Sequence, residues 1–192
     1  IFLKTQAGMS TLNQVDVESG EVPEMDMTPY TSLSQPSIKK EGQVALLASA
    51  PTISPRVISI KGEKFTIHQR STSEAIPPQD LPTPYEIQWT SSDGETVYGI
   101  YSPPTSTKFQ GEGLPPAIVK IHGGPTSSDS IGYDLEAAFF TSRGYGYLQV
   151  NYRGSTGYGR GYREALRGSW GDLDVIDAAG GAQALVDQEL AD

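Results

Sequence analysis

The stretch "IPPQDLPTPY", residues 76–85, holds four prolines in ten positions. Proline offers no N–H to a ladder and fixes φ, so such a run neither extends a sheet nor enters a helix. It reads as an extended linker or crossover. It also divides two kinds of sequence, and a domain boundary is expected there, with one region over 1–75 and another over 86–192.

Residues 1–75 read as β throughout. "IFLKTQ" and "TLNQVDVES" are short β-rich runs, the second alternating Leu12, Gln14/Val15 and Val17 up to a turn at Ser19-Gly20. "GQVALLAS" (42–49), "PRVISI" (55–60) and "EKFTIHQR" (63–70) continue the series, divided by Gly42, Pro51, Pro55 and Gly62. Short strands with this punctuation suit a sandwich, a barrel or propeller blades. The spacing predicts about one and a half four-stranded blades at roughly 40–50 residues each, which leaves edges open. His68, in mid-strand, is expected to be a surface or packing residue.

From residue 86 the grammar changes. "EIQWTSSDGETVYGIYSP" is two β-rich runs joined at Asp93-Gly94, a two-residue hairpin signal. "LPPAIVKIH" is a continuous apolar run, as expected of a strand covered on both faces. "YDLEAAFFTSRG" predicts a helix with Leu135, Ala138, Phe139 and Ser142 on its apolar stripe and Gly144 as its stop. "YGYLQVNYR" is again a strand. "GDLDVIDAAGGAQALVDQ" predicts a helix with Val175, Ala179, Ala182 and Val186 on one stripe, and Asp172 and Asp174 in its first turn, where the dipole favours anions. Strand, helix, strand, helix implies a parallel pair with right-handed crossovers, hence an α/β sheet.

Composition removes several function classes. The net charge is −9 and the basic residues are scattered, which argues against nucleic acid or an anionic membrane surface. There is no cysteine, so disulfides, thiolate metal sites and Cys catalysis are excluded; cytosol and periplasm both remain compatible, the cytoplasm being favoured. His68 and His122 are far apart in sequence and form no metal-ligand spacing, so no metal is expected. No run approaches the ~20 apolar residues of a membrane helix. The chain opens on strand-like sequence without Met and closes on a barely complete helical pattern, so it is expected to be an internal piece of a longer protein.

The chemistry concentrates in "AIVKIHGGP", 117–125. Ligands of open α/β sheets gather at the carboxyl ends of strands, which is where His122-Gly123-Gly124-Pro125 falls. Glycine lets a ligand approach backbone N–H groups closely. A hydrolase needs such fixed donors, because the oxyanion's charge develops only on the way to the transition state. In α/β-hydrolases this loop supplies one oxyanion donor and the nucleophile elbow the other. The competing reading of Gly-Gly-Pro is a tight turn, and of His122 a satisfied strand-end residue. "GSTGYGRG" imitates a phosphate cradle, but it has neither G-x-G-x-x-G nor Gly-Lys-Ser/Thr, so no nucleotide and no other cofactor is expected. Arg153 is expected in an internal salt bridge, and Tyr158 and Trp170 in packing.

The surroundings of "HGGP" carry more. The run from Ile118 to Ala184 closely resembles the prolyl oligopeptidase family of serine peptidases, in particular its acylaminoacyl-peptidase and dipeptidyl-peptidase-like branch. Asn151-Tyr152-Arg153-Gly154-Ser155-Thr156-Gly157-Tyr158-Gly159 and "SWGDLDVIDA" are the most distinctive matches. The resemblance implies the N-terminal half of an α/β-hydrolase domain preceded by part of a β-propeller, acting on short peptides through a Ser-Asp-His triad. Gly124 would then donate its N–H to the oxyanion, with Gly123 and His122 shaping the loop. No G-x-S-x-G occurs: "RGSTG" and "RGSWG" have arginine at 153 and 167, and no histidine follows 122. The resemblance puts the nucleophile roughly a dozen residues beyond Asp192, so the piece itself would be inactive. A carboxylesterase of the same fold and a non-catalytic propeller-type binding module are the alternatives; Pro125, where such esterases often carry a further glycine, and the propeller-like first half favour the peptidase.

Overall fold

The computed structural model describes residues 1–192 apart from 40, 41, 63, 74, 75, 107, 109, 110 and 125. It is mostly sheet with few helices. In chain order the elements are β1 (Phe2–Gln6), β2 (Met9–Asn13), β3 (Glu24–Met25), β4 (Ser32–Ile38), β5 (Val44–Ala50), β6 (Ile53–Lys61) and β7 (Lys64–Arg70). A 3₁₀ turn at Pro78–Asp80 follows, then β8 (Tyr85–Thr90), β9 (Thr96–Ser102), β10 (Ala117–Ile121), α1 (Leu135–Thr141), β11 (Gly146–Asn151), α2 (Arg160–Glu164) and α3 (Leu173–Asp187).

The first seven strands make a three-stranded sheet, β1-β2-β3, and a four-stranded antiparallel meander, β4-β5-β6-β7. Leu12, Leu33, Val44, Leu46, Ile58 and Ile60 bury their side chains in one cluster that the two sheets share. Each such aliphatic side chain contributes about 1.5–3 kcal/mol when fully buried. Two expectations change here. The second strand stops at Asn13 rather than running on through Val17, because Asp16 turns the chain. Its Oδ1 accepts the Glu18 and Ser19 N–H groups at 3.0 and 2.8 Å, and Val17 is left 91% exposed. β4 is an additional strand, hidden in the sequence by Pro36. The ladder register shifts between Ser34 and Ser37, with Gln35 at φ 53°, so the proline sits in a bulge where no N–H is required.

β8–β11 form a mixed sheet in the order β10-β11-β9-β8, with β10 and β11 parallel and the other pairs antiparallel. The hairpin between β8 and β9 is wider than the two-residue turn expected: residues 91–95 connect the strands, closed by Ser91 N–H to Glu95 O at 2.8 Å. β10 is half-buried at the edge of the sheet, not covered on both faces; β11, beside it, is buried along its whole length. Phe140 of α1 stacks on Tyr147, while Gly181 of α3 packs against Leu148. Successive strand residues face opposite ways, so the two helices cover opposite faces.

α1 keeps only Ala138 of the stripe expected to face inward, and α3 turns a different stripe inward. α1 buries Ala137, Ala138 and Thr141 and leaves Leu135 and Phe139 outside, the Phe139 ring capped by the Arg143 guanidinium at 3.6 Å. α3 buries Asp177, Ala178, Gly181, Ala184 and Leu185 and leaves Val175 and Val186 exposed. Small residues face the sheet because Trp89 already fills the space: a Cβ on Gly181 would lie 2.9 Å from the indole Cζ2. The small residues set the close approach, and Asp177 is drawn inward by Arg153.

Candidate functional site

β10 and β11 run parallel and end at the same rim. From β10 the chain leaves as His122-Gly123-Gly124, from β11 as Tyr152-Arg153-Gly154-Ser155. The His122 ring stacks on Tyr152 at 4.5 Å, and Tyr152 Oη donates to His122 O at 3.1 Å. Ser155 Oγ donates to Tyr152 O at 2.6 Å, so its single proton is used. His122 Nε2, 2.8 Å away, is therefore the donor to Ser155 Oγ, while Nδ1 lies 2.9 Å from Gly123 O. The ring is thus held through Nε2 and through its stack on Tyr152. His122 is a fastener of its own loop.

Beyond the fastener the loop is held again. Thr156 N–H donates to Ser127 O at 2.9 Å, and Ser128 Oγ and Thr156 Oγ1 lie 3.0 Å apart. Asn151 pairs with Asp129 in both directions: Asp129 N–H to Asn151 Oδ1 at 2.8 Å and Asn151 Nδ2 to Asp129 O at 3.2 Å. Asp134 caps α1 by accepting from the Glu136 and Ala137 N–H groups. Within this braced loop, Gly123 and Gly124 are exposed. Among the described residues neither N–H has an acceptor. Gly124 sits at φ 144°, and a Cβ there would press on the Ser127 backbone nitrogen at 3.2 Å. Pro125 lies outside the described residues.

Two residues before Ser155 the polar groups are buried. Arg153 grips Asp177 through Nη2 to Oδ1 at 2.7 Å and Nε to Oδ2 at 3.0 Å, and its backbone N–H donates to Asp177 Oδ2 at 2.9 Å. The other guanidinium nitrogen meets Asp93 Oδ2, and Ser91 Oγ donates to Asp177 Oδ1 at 3.0 Å. The hydrogen bond from Arg153 holds the Asp93 carboxyl below its ordinary value, and Asp177 raises the Arg153 guanidinium above its own. The internal salt bridge expected of Arg153 is present. Tyr158 packs as expected, stacked on Tyr98 at 4.4 Å, and burial pushes its hydroxyl up. Trp170 does not pack; it is 59% exposed.

Comparison with known proteins gives this geometry a lineage. The model of the prolyl oligopeptidase family matches residues 131–192. Over those residues the chain is similar to that family. Its curated relatives include dipeptidyl aminopeptidase BIII of Pseudoxanthomonas mexicana, 34% identical over 101 residues, covering 49% of this chain and 15% of the relative. The human acylamino-acid-releasing enzyme is 29% identical over 153 residues, covering 74% of this chain and 20% of that one. Among solved structures, a puromycin-hydrolyzing peptidase of Mycobacterium tuberculosis matches 97% of this chain and 29% of its own, at 36% identity and TM-score 0.90. The chain spans less than a third of the length of each of these relatives.

The family resemblance seen in "NYRGSTGYG" and "SWGDLDVIDA" is thus shown, and its relatives are acylaminoacyl and dipeptidyl peptidases. Four residues that organise this rim were not singled out by sequence reasoning: Asn151, Tyr152, Ser155 and Asp177. The first three lie inside the recognised motif, which by itself assigns them no partner. Asp177 carried a usable signal, a carboxylate in the small-residue stretch "VIDAAGGAQA", where an unpaired charge could not be buried.

Proposed function

We propose that these residues belong to a serine peptidase that hydrolyses the amide bonds of short peptides by acyl transfer. Residues 1–75 are the end of a β-propeller, 76–85 the linker and 86–192 the first part of an α/β-hydrolase domain. The nucleophilic serine and its Asp and His partners lie beyond residue 192. The observation that carries the reading is the N–H of exposed Gly124, without an acceptor among the described residues, at the strand-end rim of a loop fastened through His122 and Ser155.

The triad histidine takes the serine hydroxyl proton as the serine oxygen attacks the scissile carbonyl carbon; the C–O bond forms, and the carbonyl π pair moves onto oxygen. Gly124 N–H donates to that oxygen; the residue after the serine supplies the other donor. The C–N bond then breaks, the amine leaves with a proton from the triad histidine, and water releases the acyl group by the same steps. The fixed loop matters because the donor is already in place when charge appears. His122 holds the loop through Ser155 and exchanges no proton with substrate.

Puromycin, the compound named for the mycobacterial relative, is the first substrate to test, with aminoacyl and acylaminoacyl p-nitroanilides beside it. In the full-length protein, Gly124→Pro removes the donor and is expected to lower kcat by about 10²–10³ with little change in KM. An unchanged kcat removes Gly124 from the site and with it this reading.

A further inference from the structure

We propose that Thr31, just before β4, is a positioning residue for the Gly124 amide and acts through Ile131; this rests on the peptidase reading above. The loop that leaves β10 at His122 reaches α1 only at Leu135. Its far end is tied to the first sheets. Thr31 Oγ1 donates to Ile131 O at 2.5 Å, and Ile131 N–H donates to Gly8 O at 2.7 Å. Both backbone polar groups of one loop residue are thus taken by the other sheets, with Ser32 Oγ and Ser130 Oγ 3.4 Å apart beside them.

Thr31 is itself fixed. Its N–H donates to Ser49 O at 3.0 Å, and its carbonyl accepts from Ser10 N–H at 2.9 Å, so it is held by β5 on one side and β2 on the other. Gly8 admits no other residue comfortably: at φ 73° its Cβ would lie 2.8 Å from Ile100 Cδ1 and 3.3 Å from Ile131 Cγ1. From Ile131 the chain runs back through Asp129, locked to Asn151, and Ser127, locked to Thr156, to Gly124. A displacement of the first sheets therefore bears on the loop at Ile131 and on the glycine amides at its start. The N-terminal sheets help set the distance from the Gly124 N–H to the developing oxyanion, and Thr31 is the hydroxyl through which they do so.

The test uses the full-length protein with puromycin and a p-nitroanilide, rates being referred to active sites titrated with a fluorophosphonate. Thr31→Val keeps the shape and removes the hydroxyl. It is expected to lower kcat about five- to tenfold with KM within twofold and an unchanged melting temperature. Thr31→Ser, which restores a hydroxyl, returns kcat to within twofold of the parent. Gly8→Ala, which presses on Ile100 and on Ile131, lowers kcat with KM within twofold and also lowers the melting temperature, and serves as a second perturbation of the same joint. A kcat unaffected in both Thr31→Val and Gly8→Ala overturns the proposal, as does a loss that Thr31→Ser fails to restore. Gly124→Pro, run in parallel, separates the two readings. If it lowers kcat and the Thr31 and Gly8 variants do not, only the role of Thr31 falls. If it leaves kcat unchanged, the site itself was misassigned and Thr31 falls with it.

Discussion

The Arg153 cluster and the Gly123-Gly124 loop occupy the same rim of the mixed sheet and settle their polar groups in opposite ways. Around Arg153 every charge is answered: Asp177, wholly buried, receives the guanidinium, a backbone N–H and the Ser91 hydroxyl. On the loop, the N–H groups of two exposed glycines have no acceptor among the described residues, while the segment around them is tied down at His122, Ser127, Asp129 and Ile131. Satisfied donors stabilise a fold but can do no work on a ligand. Bare donors contribute nothing to the fold and are free to bind charge that appears during a reaction. The buried cluster joins the β8–β9 turn, the end of β11 and α3 into one block, and the loop is braced against that block through Ser155.

The largest effect expected from breaking this contrast is on stability. Asp177→Ala leaves the Arg153 guanidinium buried beside only the half-exposed Asp93, and should destabilise the full-length protein by about 3–5 kcal/mol in urea unfolding. A loss below about 1 kcal/mol would mean that Asp93 and solvent suffice for Arg153. Gly124→Pro should act mainly on the reaction, removing about 3–4 kcal/mol of transition-state stabilisation, with a smaller loss of stability because proline cannot adopt the φ of 144°. Ser155→Ala lies between the two. It deletes the acceptor of His122 Nε2 and the donor to Tyr152 O, so kcat should fall about fivefold as the loop loosens. If Ser155→Ala leaves kcat untouched, the Tyr152 stack alone fastens His122.

The same contrast explains what the sequence made readable. Elements announced by strong punctuation emerge where expected: the hairpin around Asp93-Gly94, the β10–α1–β11 unit, and the stop at Gly144, whose N–H reaches Thr141 O at 3.1 Å. The helix faces depart from expectation because apolar periodicity counts every valine and leucine as inward, whereas next to Trp89 and Tyr147 the space suits alanine, glycine and threonine, and of the large aliphatic side chains of α3 only Leu185 is fully buried. β4 was hidden since a proline counts against a strand unless a bulge absorbs it. The glycine loop was legible because bare amides at a strand end need only a short local motif. The fastening was not, since His122 to Ser155, Asp129 to Asn151 and Ile131 to Thr31 join positions whose nearness exists only after folding. Periodicity carries no record of such pairs.

The smallest expected effect sharpens the comparison from its exposed side. Asp93 shares Arg153 with Asp177 but stands at the surface, and the Arg153 hydrogen bond lowers its carboxyl from the ordinary 3.8. A carboxyl depressed in the folded state contributes stability at pH values above its unfolded value and loses that contribution as pH falls through the lower, folded one. The gap in melting temperature between the parent and Asp93→Asn should therefore be constant at neutral pH and close as the pH is taken below 3.8. Added salt should narrow it as well, because the pair is open to solvent. A gap that neither acid nor salt alters would mean that Arg153 uses Asp93 for the shape of the turn at 91–95 rather than for its charge, leaving Asp177 as the sole counter-ion of the block against which the loop is braced.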